Sequence, residues 1–121
     1  MARKKKKRSA GKLSQQVVEY ILTRDMEELA TLSGEKIARA LHRNRAYLYR
    51  KFKSDQNIGI HQFILREKIH RTVFLLGKNN DISITELSRR LGFLSVERFV
   101  REFIKYLAID PRKYRELKSK L

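Results

Sequence analysis

Residues 82–103 read ISITELSRRLGFLSVERFVREF, and they repeat, with one residue added, the pattern of residues 32–52, LSGEKIARALHRNRAYLYRKF. Leu32 matches Ile82, Ser33 matches Ser83, Ile37 matches Leu87, Arg39 matches Arg89 and Leu41 matches Leu91. After the extra Leu94, Asn44 matches Ser95, Leu48 matches Phe99, Arg50 matches Arg101 and Phe52 matches Phe103. Ser and Asn are natural helix starters because a short side-chain oxygen accepts from first-turn amides. Apolar residues three and four apart make one buried stripe. Each copy therefore spells cap, short helix, tight turn, cap, second helix. That is the pattern of a helix-turn-helix, in which the first helix braces the second and the second offers its outer face to the DNA major groove. Two copies in register are a far more specific signal than one.

Working outward, helical periodicity dominates. A first helix is expected from Leu13 to about Arg24, a long one from about Ile60 to Leu76, and a short last one after Pro111. Gly77 to Asp81, GKNND, reads as a loop. No useful stretch alternates as a strand would. The expected fold class is all-α: about seven helices forming two helix-turn-helix subdomains joined by a long central helix. The expected divisions are a disordered basic arm over 1–13, a first subdomain over 14–56, a linker helix and loop over 57–80, and a second subdomain over 81–121. The arm opens MARKKKKRSAGK, with seven basic residues and no acid. Such charge density repels itself and leaves little to bury. A Met1 start ahead of this arm is what a complete chain would show.

The 121 residues carry 29 Lys+Arg against 13 Asp+Glu, a net +16. That excess favours polyanions, nucleic acid first. Cysteine is absent, which removes disulfides and thiolate zinc sites. No apolar run reaches the roughly 18–20 residues that cross a bilayer, so a cytoplasmic protein without membrane partners is expected. Enzyme chemistry finds no foothold. His42, His61 and His70 are scattered, and Glu67 with His70 gives one E-x-x-H, where a di-iron bundle needs two. No cofactor, metal site or catalytic residue is expected.

The order of two helix-turn-helix motifs joined by a long helix resembles the DNA-binding domain of the AraC/XylS family of bacterial transcription regulators. AYLYRKFK, LLGKNNDISITELSRRLGF, the F-x-x-x-F of Phe99 and Phe103, and DPRKYR at 110–115 carry the resemblance, which spans roughly 14–116. The family usually has glycine where this chain has His42, Asn57 and Ala108. It favours Arg and Ala where the chain has Lys68 and Thr72.

With Leu48 and Phe52 turned inward, helical geometry turns Ala46, Tyr49, Arg50 and Lys53 outward, with Arg45 flanking them. In the second copy Val96, Glu97, Val100 and Arg101 face out. The expected base contacts are therefore Arg45, Ala46, Tyr49, Arg50, Val96, Glu97, Val100 and Arg101. Arg50 and Arg101 suit guanine O6 and N7, Glu97 suits cytosine N4, and the small apolar residues suit thymine methyls. Lys51, Lys53, Arg98 and Lys105 are placed for phosphates. Glu97 has the alternative of pairing with Arg101, and Val96 and Val100 that of joining the core. Tyr47, Tyr106 and Tyr114 read as packing residues. The tail can serve as an arm along phosphates or in a minor groove, as a localisation-like signal, or as solubilising charge.

The function this implies is sequence-specific binding of double-stranded DNA by recognition helices at 44–53 and 95–105, entering adjacent major-groove segments. A monomer on DNA at the bacterial nucleoid is expected, and the family resemblance implies RNA polymerase as a further partner. The alternative is a sequence-neutral, architectural nucleic-acid binder driven by charge alone.

Overall fold

The computed structural model describes residues 2–78 and 81–120, with side chains from residue 11 onward. These residues form eight helices and no strand: α1 Ala2–Leu22, α2 Met26–Ala30, α3 Gly34–Ala40, α4 Arg45–Gln56, α5 Ile60–Gly77, α6 Ile84–Arg90, α7 Val96–Leu107 and α8 Pro111–Ser119. The helix absent from the sequence reading is α2. Its five residues, MEELA, bury only Leu29 and are too short for a 3.6-residue period to show. The backbone of α1 is helical from Ala2, taking in residues whose composition suggests a disordered arm. Lys, Arg and Ala favour helix individually, and extending a packed helix requires no new nucleus. Met1 of that arm and Asn79 and Asn80 of the GKNND loop lie outside the described residues.

Side-chain caps set the helix starts. Ser33, Asn44, Ser83 and Ser95 accept from the amides of Lys36, Tyr47, Glu86 and Arg98, at 3.2, 2.9, 3.0 and 3.1 Å. Asp110 accepts from the Arg112 amide at 2.8 Å, just ahead of Pro111 at the first position of α8. The Arg112 guanidinium beside Asp110, helped by backbone amides, holds its carboxyl down at about 2.

The helix ends match across the repeat just as closely. In the first turn the amides of His42 and Arg43 reach back to the carbonyls of Arg39 and Ala38, at 3.2 and 2.9 Å. In the second, Gly92 and Phe93 reach Arg89 and Ser88, both at 3.0 Å. This paired closure requires a left-handed residue, and His42 (φ 55°) and Gly92 (φ 80°) supply it. The ends of α4 and α7 are equivalent too, with Asn57 and Ala108 left-handed at φ 58° and 59°. All three positions where the chain departs from the family's glycines therefore hold the backbone shape that glycine favours.

The chain divides into two compact units: residues up to 25 with 32–64, and residues 26–31 with 65 onward. In the first, α4 packs on α1 and α3 over a core that includes Val17, Ile21, Ile37, Leu48, Phe52 and Phe63. Buried Ser14 donates to Asp55 at 2.7 Å and ties α1 to α4. In the second, Ile69, Leu76, Leu87, Leu91, Phe99 and Phe103 form the core. Phe93, Phe99, Phe103 and Tyr114 make a run of edge-to-face rings with centroids 5.3, 5.9 and 6.0 Å apart.

Helix α2 belongs to this second unit although residues of the first flank it in sequence. The buried Lys68 ammonium donates to the Ala30 carbonyl at 3.3 Å and lies over the Phe93 ring. Burial, and then the neighbouring Arg98, pull the Lys68 pKa down. Thr72 is also buried, and its hydroxyl is satisfied within α5 by the Ile69 carbonyl at 2.6 Å. Arg115 of α8 donates to the Ile82 carbonyl ahead of α6.

Candidate nucleic-acid interface

The buried stripe of each second helix fixes what the other face presents. On α4, Leu48 and Phe52 are buried. Arg45, Ala46, Arg50 and Lys53 are exposed, and Tyr49 and Lys51 are half-buried. On α7, Phe99 and Phe103 are buried. Glu97, Arg101 and Lys105 are exposed, and Val96, Arg98 and Val100 are half-buried. Of the eight residues expected to touch bases, five are thus fully presented. Tyr49, Val96 and Val100 stand at the inner edge, and Val100 packs against the core of its unit.

Electrostatics set the presented arginines apart from Arg39 and Arg89 of the bracing helices. Among the described residues no ion pair joins Glu97 to Arg101, and Arg50 and Arg101 have no carboxylate within salt-bridge distance. One arginine on each bracing helix does have a partner: Arg39 with Glu35 at 3.8 Å on α3, and Arg89 with Glu86 at 2.6 Å on α6. Arg50 and Arg101, at matched places in the repeat, are both exposed with no such partner among the described residues. Glu97 sits in the first turn of α7, where a carboxylate suits the positive helix end. Arg45 sits in the first turn of α4, where a cation does not.

Arg98 is placed differently from the other residues expected at phosphates. It is half-buried and close enough to Lys68 to disfavour that lysine's charge. One residue surfaces that the sequence reading assigned to packing: Tyr47 is 46% exposed on α4, while Tyr114 packs on Phe103 as expected and Tyr106 is half-buried. The signal was available in the spacing, since Tyr47 falls between Ala46 and Leu48 and outside the i, i+4 stripe of Leu48 and Phe52.

An open cleft of about 300 Å³ in the second unit is lined by Met26, Glu67, His70, Arg71, Phe74 and Leu75. None of the residues expected at DNA lines it. Glu67, the carboxylate of the E-x-x-H spacing, is engaged by Arg71 at 2.9 Å. No cluster of three or more metal-ligating side chains occurs among the described residues, and no helix among them is long and apolar enough to cross a membrane.

A family model described as a helix-turn-helix domain matches residues 37–117. The chain is 33% identical over 87 residues to the Msm operon regulatory protein of Streptococcus mutans, covering 72% of this chain and 31% of that one. It is 37% identical over 75 residues to the xylose operon regulatory protein of Haemophilus influenzae, covering 62% and 19%. The chain thus spans about a third or less of these relatives' length. Among solved structures it resembles a Chromobacterium violaceum transcriptional regulator described as AraC-type DNA-binding domain-containing, with TM-score 0.79 and 22% identity over 92% of this chain and 96% of that one.

Proposed function

Since the chain belongs to the AraC/XylS family of helix-turn-helix proteins, we propose that it binds double-stranded DNA sequence-specifically and regulates transcription. The observation that carries this reading is the matched pair Arg50 and Arg101, exposed and, among the described residues, without carboxylate partners, on two helices whose inner faces are pinned by Leu48/Phe52 and Phe99/Phe103. A guanidinium in that position can bond guanine O6 and N7 together. Arg45 and Ala46 extend the reading face of α4, and Glu97 extends that of α7 by accepting from cytosine N4. Tyr49, Val96 and Val100 border these faces.

Lys51, Lys53, Lys105, Arg98 and the basic segment before Leu13 supply phosphate contacts, with Lys53 and Lys105 the best exposed. Tyr47, exposed on α4, adds a hydroxyl that can donate to a phosphate. The two recognition helices enter successive major-groove segments, about one turn or roughly 34 Å apart. A single chain then reads an asymmetric site as a monomer. Work at the nucleoid, in the cytoplasm, and contact with RNA polymerase belong to the same proposal by analogy with the family.

Selection of bound duplexes from a random pool tests it. One enriched asymmetric sequence is expected, bound about a thousandfold or more better than random DNA. Equal binding of selected and random duplexes would establish the charge-driven, sequence-neutral alternative. Deleting residues 2–12 is expected to weaken binding on every duplex and to flatten its salt dependence, by about 0.9 in slope for each phosphate contact removed.

A further inference from the structure

We propose that Tyr49 is a positioning residue for Arg45: anchored over Gly34 of α3, its ring holds the Arg45 guanidinium in place to read a base. This rests on the DNA-binding reading above and assigns a role inside it. Three observations converge. Gly34 is buried, and a Cβ there would overlap the Tyr49 hydroxyl and ring edge, so the ring lies directly on the α3 backbone. The hydroxyl end of Tyr49 is therefore turned toward the bracing helix. The ring also carries Arg45, whose guanidinium carbon lies 5.2 Å from its centroid, within cation–π range.

Arg45 gains nothing for the helix by standing where it does. It occupies the first turn of α4, which has no acidic residue, at the end where the helix dipole repels a cation. A cation placed there at a local disadvantage, exposed and steadied by an aromatic face one turn later, is arranged for an anionic or acceptor-rich surface outside the protein. The second copy shows what the arrangement replaces. Positions equivalent to Gly34, Arg45 and Tyr49 are Ile84, Val96 and Val100. There the bulk moves to the bracing helix, Ile84 and Val100 pack on the core, and no cation is held. Glycine plus tyrosine stand in one copy where isoleucine plus valine stand in the other. Only the first leaves a platform for an arginine.

The experiment is duplex selection with the full chain and its Tyr49→Leu, Tyr49→Phe and Arg45→Ala variants, with binding to the selected duplex measured for each and for Tyr49→Leu/Arg45→Ala together. Helical content and melting are followed to confirm folding. Tyr49→Phe, which keeps the ring, should retain the selected sequence. Tyr49→Leu should lose preference at the same base pair as Arg45→Ala, weakening the selected duplex about two- to fivefold while leaving random duplex unchanged. Adding Tyr49→Leu to Arg45→Ala should cost nothing further. A full additional loss in that background would show that Tyr49 acts on its own, and a loss in Tyr49→Phe as large as in Tyr49→Leu would assign the effect to the hydroxyl; either overturns the inference. If Tyr49→Leu melts early, the paired change Gly34→Ile/Tyr49→Val imports the second copy's filling and must show the same loss at one base pair. An unchanged selection in a folded Tyr49→Leu sinks this inference alone, whereas failure of the unaltered chain to enrich any sequence sinks the DNA-binding reading and this one with it.

Discussion

The two copies of the motif share a backbone and solve its problems with different side chains. Both turns close through the same pair of amides on a left-handed residue, but the first uses His42 and the second Gly92. The difference is not one of turn geometry. At Gly92 the Ala30 carbonyl of α2 lies where a Cβ would go, and the same carbonyl takes the buried Lys68 ammonium. The first turn already accommodates the Cβ of His42. The recognition helices diverge in the same spirit: α4 has four basic side chains and one acid, α7 three and two. The first recognition helix carries the larger positive excess. The second unit is built around an aromatic run.

The largest expected effect sets the two cores against each other. Phe52 and Phe103 are both fully buried, so either change to Ala costs about 3–5 kcal/mol in urea unfolding. Phe103 touches two rings edge-on, Phe99 and Tyr114, whereas Phe52 touches one, Phe63, at 5.6 Å. Phe103→Ala should therefore exceed Phe52→Ala by about 1 kcal/mol, the worth of one edge contact. An equal or reversed order would show that the aromatic run is incidental. Next in size, Gly92→Ala should cost about 2–4 kcal/mol, from a left-handed alanine and from overlap with the Ala30 carbonyl. His42→Ala should cost less than about 1 kcal/mol, because the Cβ is already accommodated. Equal melting shifts for the pair would mean that α2 is not held against the second turn.

The repeat was legible because its signals are local. Caps at Ser33, Asn44, Ser83 and Ser95 act within one helical turn, and the stripes Leu48/Phe52 and Phe99/Phe103 follow from period alone. What the sequence hid was long-range. Helix α2 is five residues long and owes its place to Lys68 and Gly92, some 38 and 62 positions away from Ala30, which no local pattern encodes. The same holds at the candidate interface. Arg45, Arg50, Glu97 and Arg101 are presented as helical geometry requires, while the inward turn of Tyr49 depends on Gly34 in another helix, and the half-buried place of Arg98, near Lys68 of another helix, follows from no local pattern. Tyr47 differs for another reason: an aromatic residue is expected to pack, whereas the phase of its own helix turns it outward.

The uneven charge makes a prediction about binding. Arg50→Ala and Arg101→Ala should each weaken the selected duplex by about 1–3 kcal/mol, each relaxing choice at one base pair. On random duplex the two should part, with the loss larger for Arg50→Ala because α4 carries the denser positive face. Glu97→Gln should leave random binding intact or slightly stronger and relax discrimination at a single position, since a carboxylate accepts from cytosine N4 and repels acceptor-rich edges. Competition binding at one fixed salt concentration reads all three. If Arg101→Ala weakens random duplex as much as Arg50→Ala does, the division of labour between a charge-meeting copy and a discriminating copy fails.

The smallest effect concerns the ends of the two recognition helices, where Asn57 and Ala108 hold the same left-handed shape at φ 58° and 59°. An amide from each reaches back to the helix, to Lys53 at 2.9 Å and to Ile104 at 2.7 Å, so neither residue can relax without opening its last turn. A left-handed alanine bears roughly 1–2 kcal/mol of steric strain between its Cβ and backbone. Glycine removes that strain but gives the unfolded chain more freedom, which takes back about 0.4–1 kcal/mol. The net expectation for Ala108→Gly is a gain of about 0.5–1 kcal/mol. Asn57→Gly should come out near zero, because asparagine tolerates the left-handed region and has less strain to release. The urea midpoint separates these outcomes directly. Equal gains at both sites would mean that the strain belongs to the turn itself and not to its residue, and the two copies would then be closer in energy than their sequences imply.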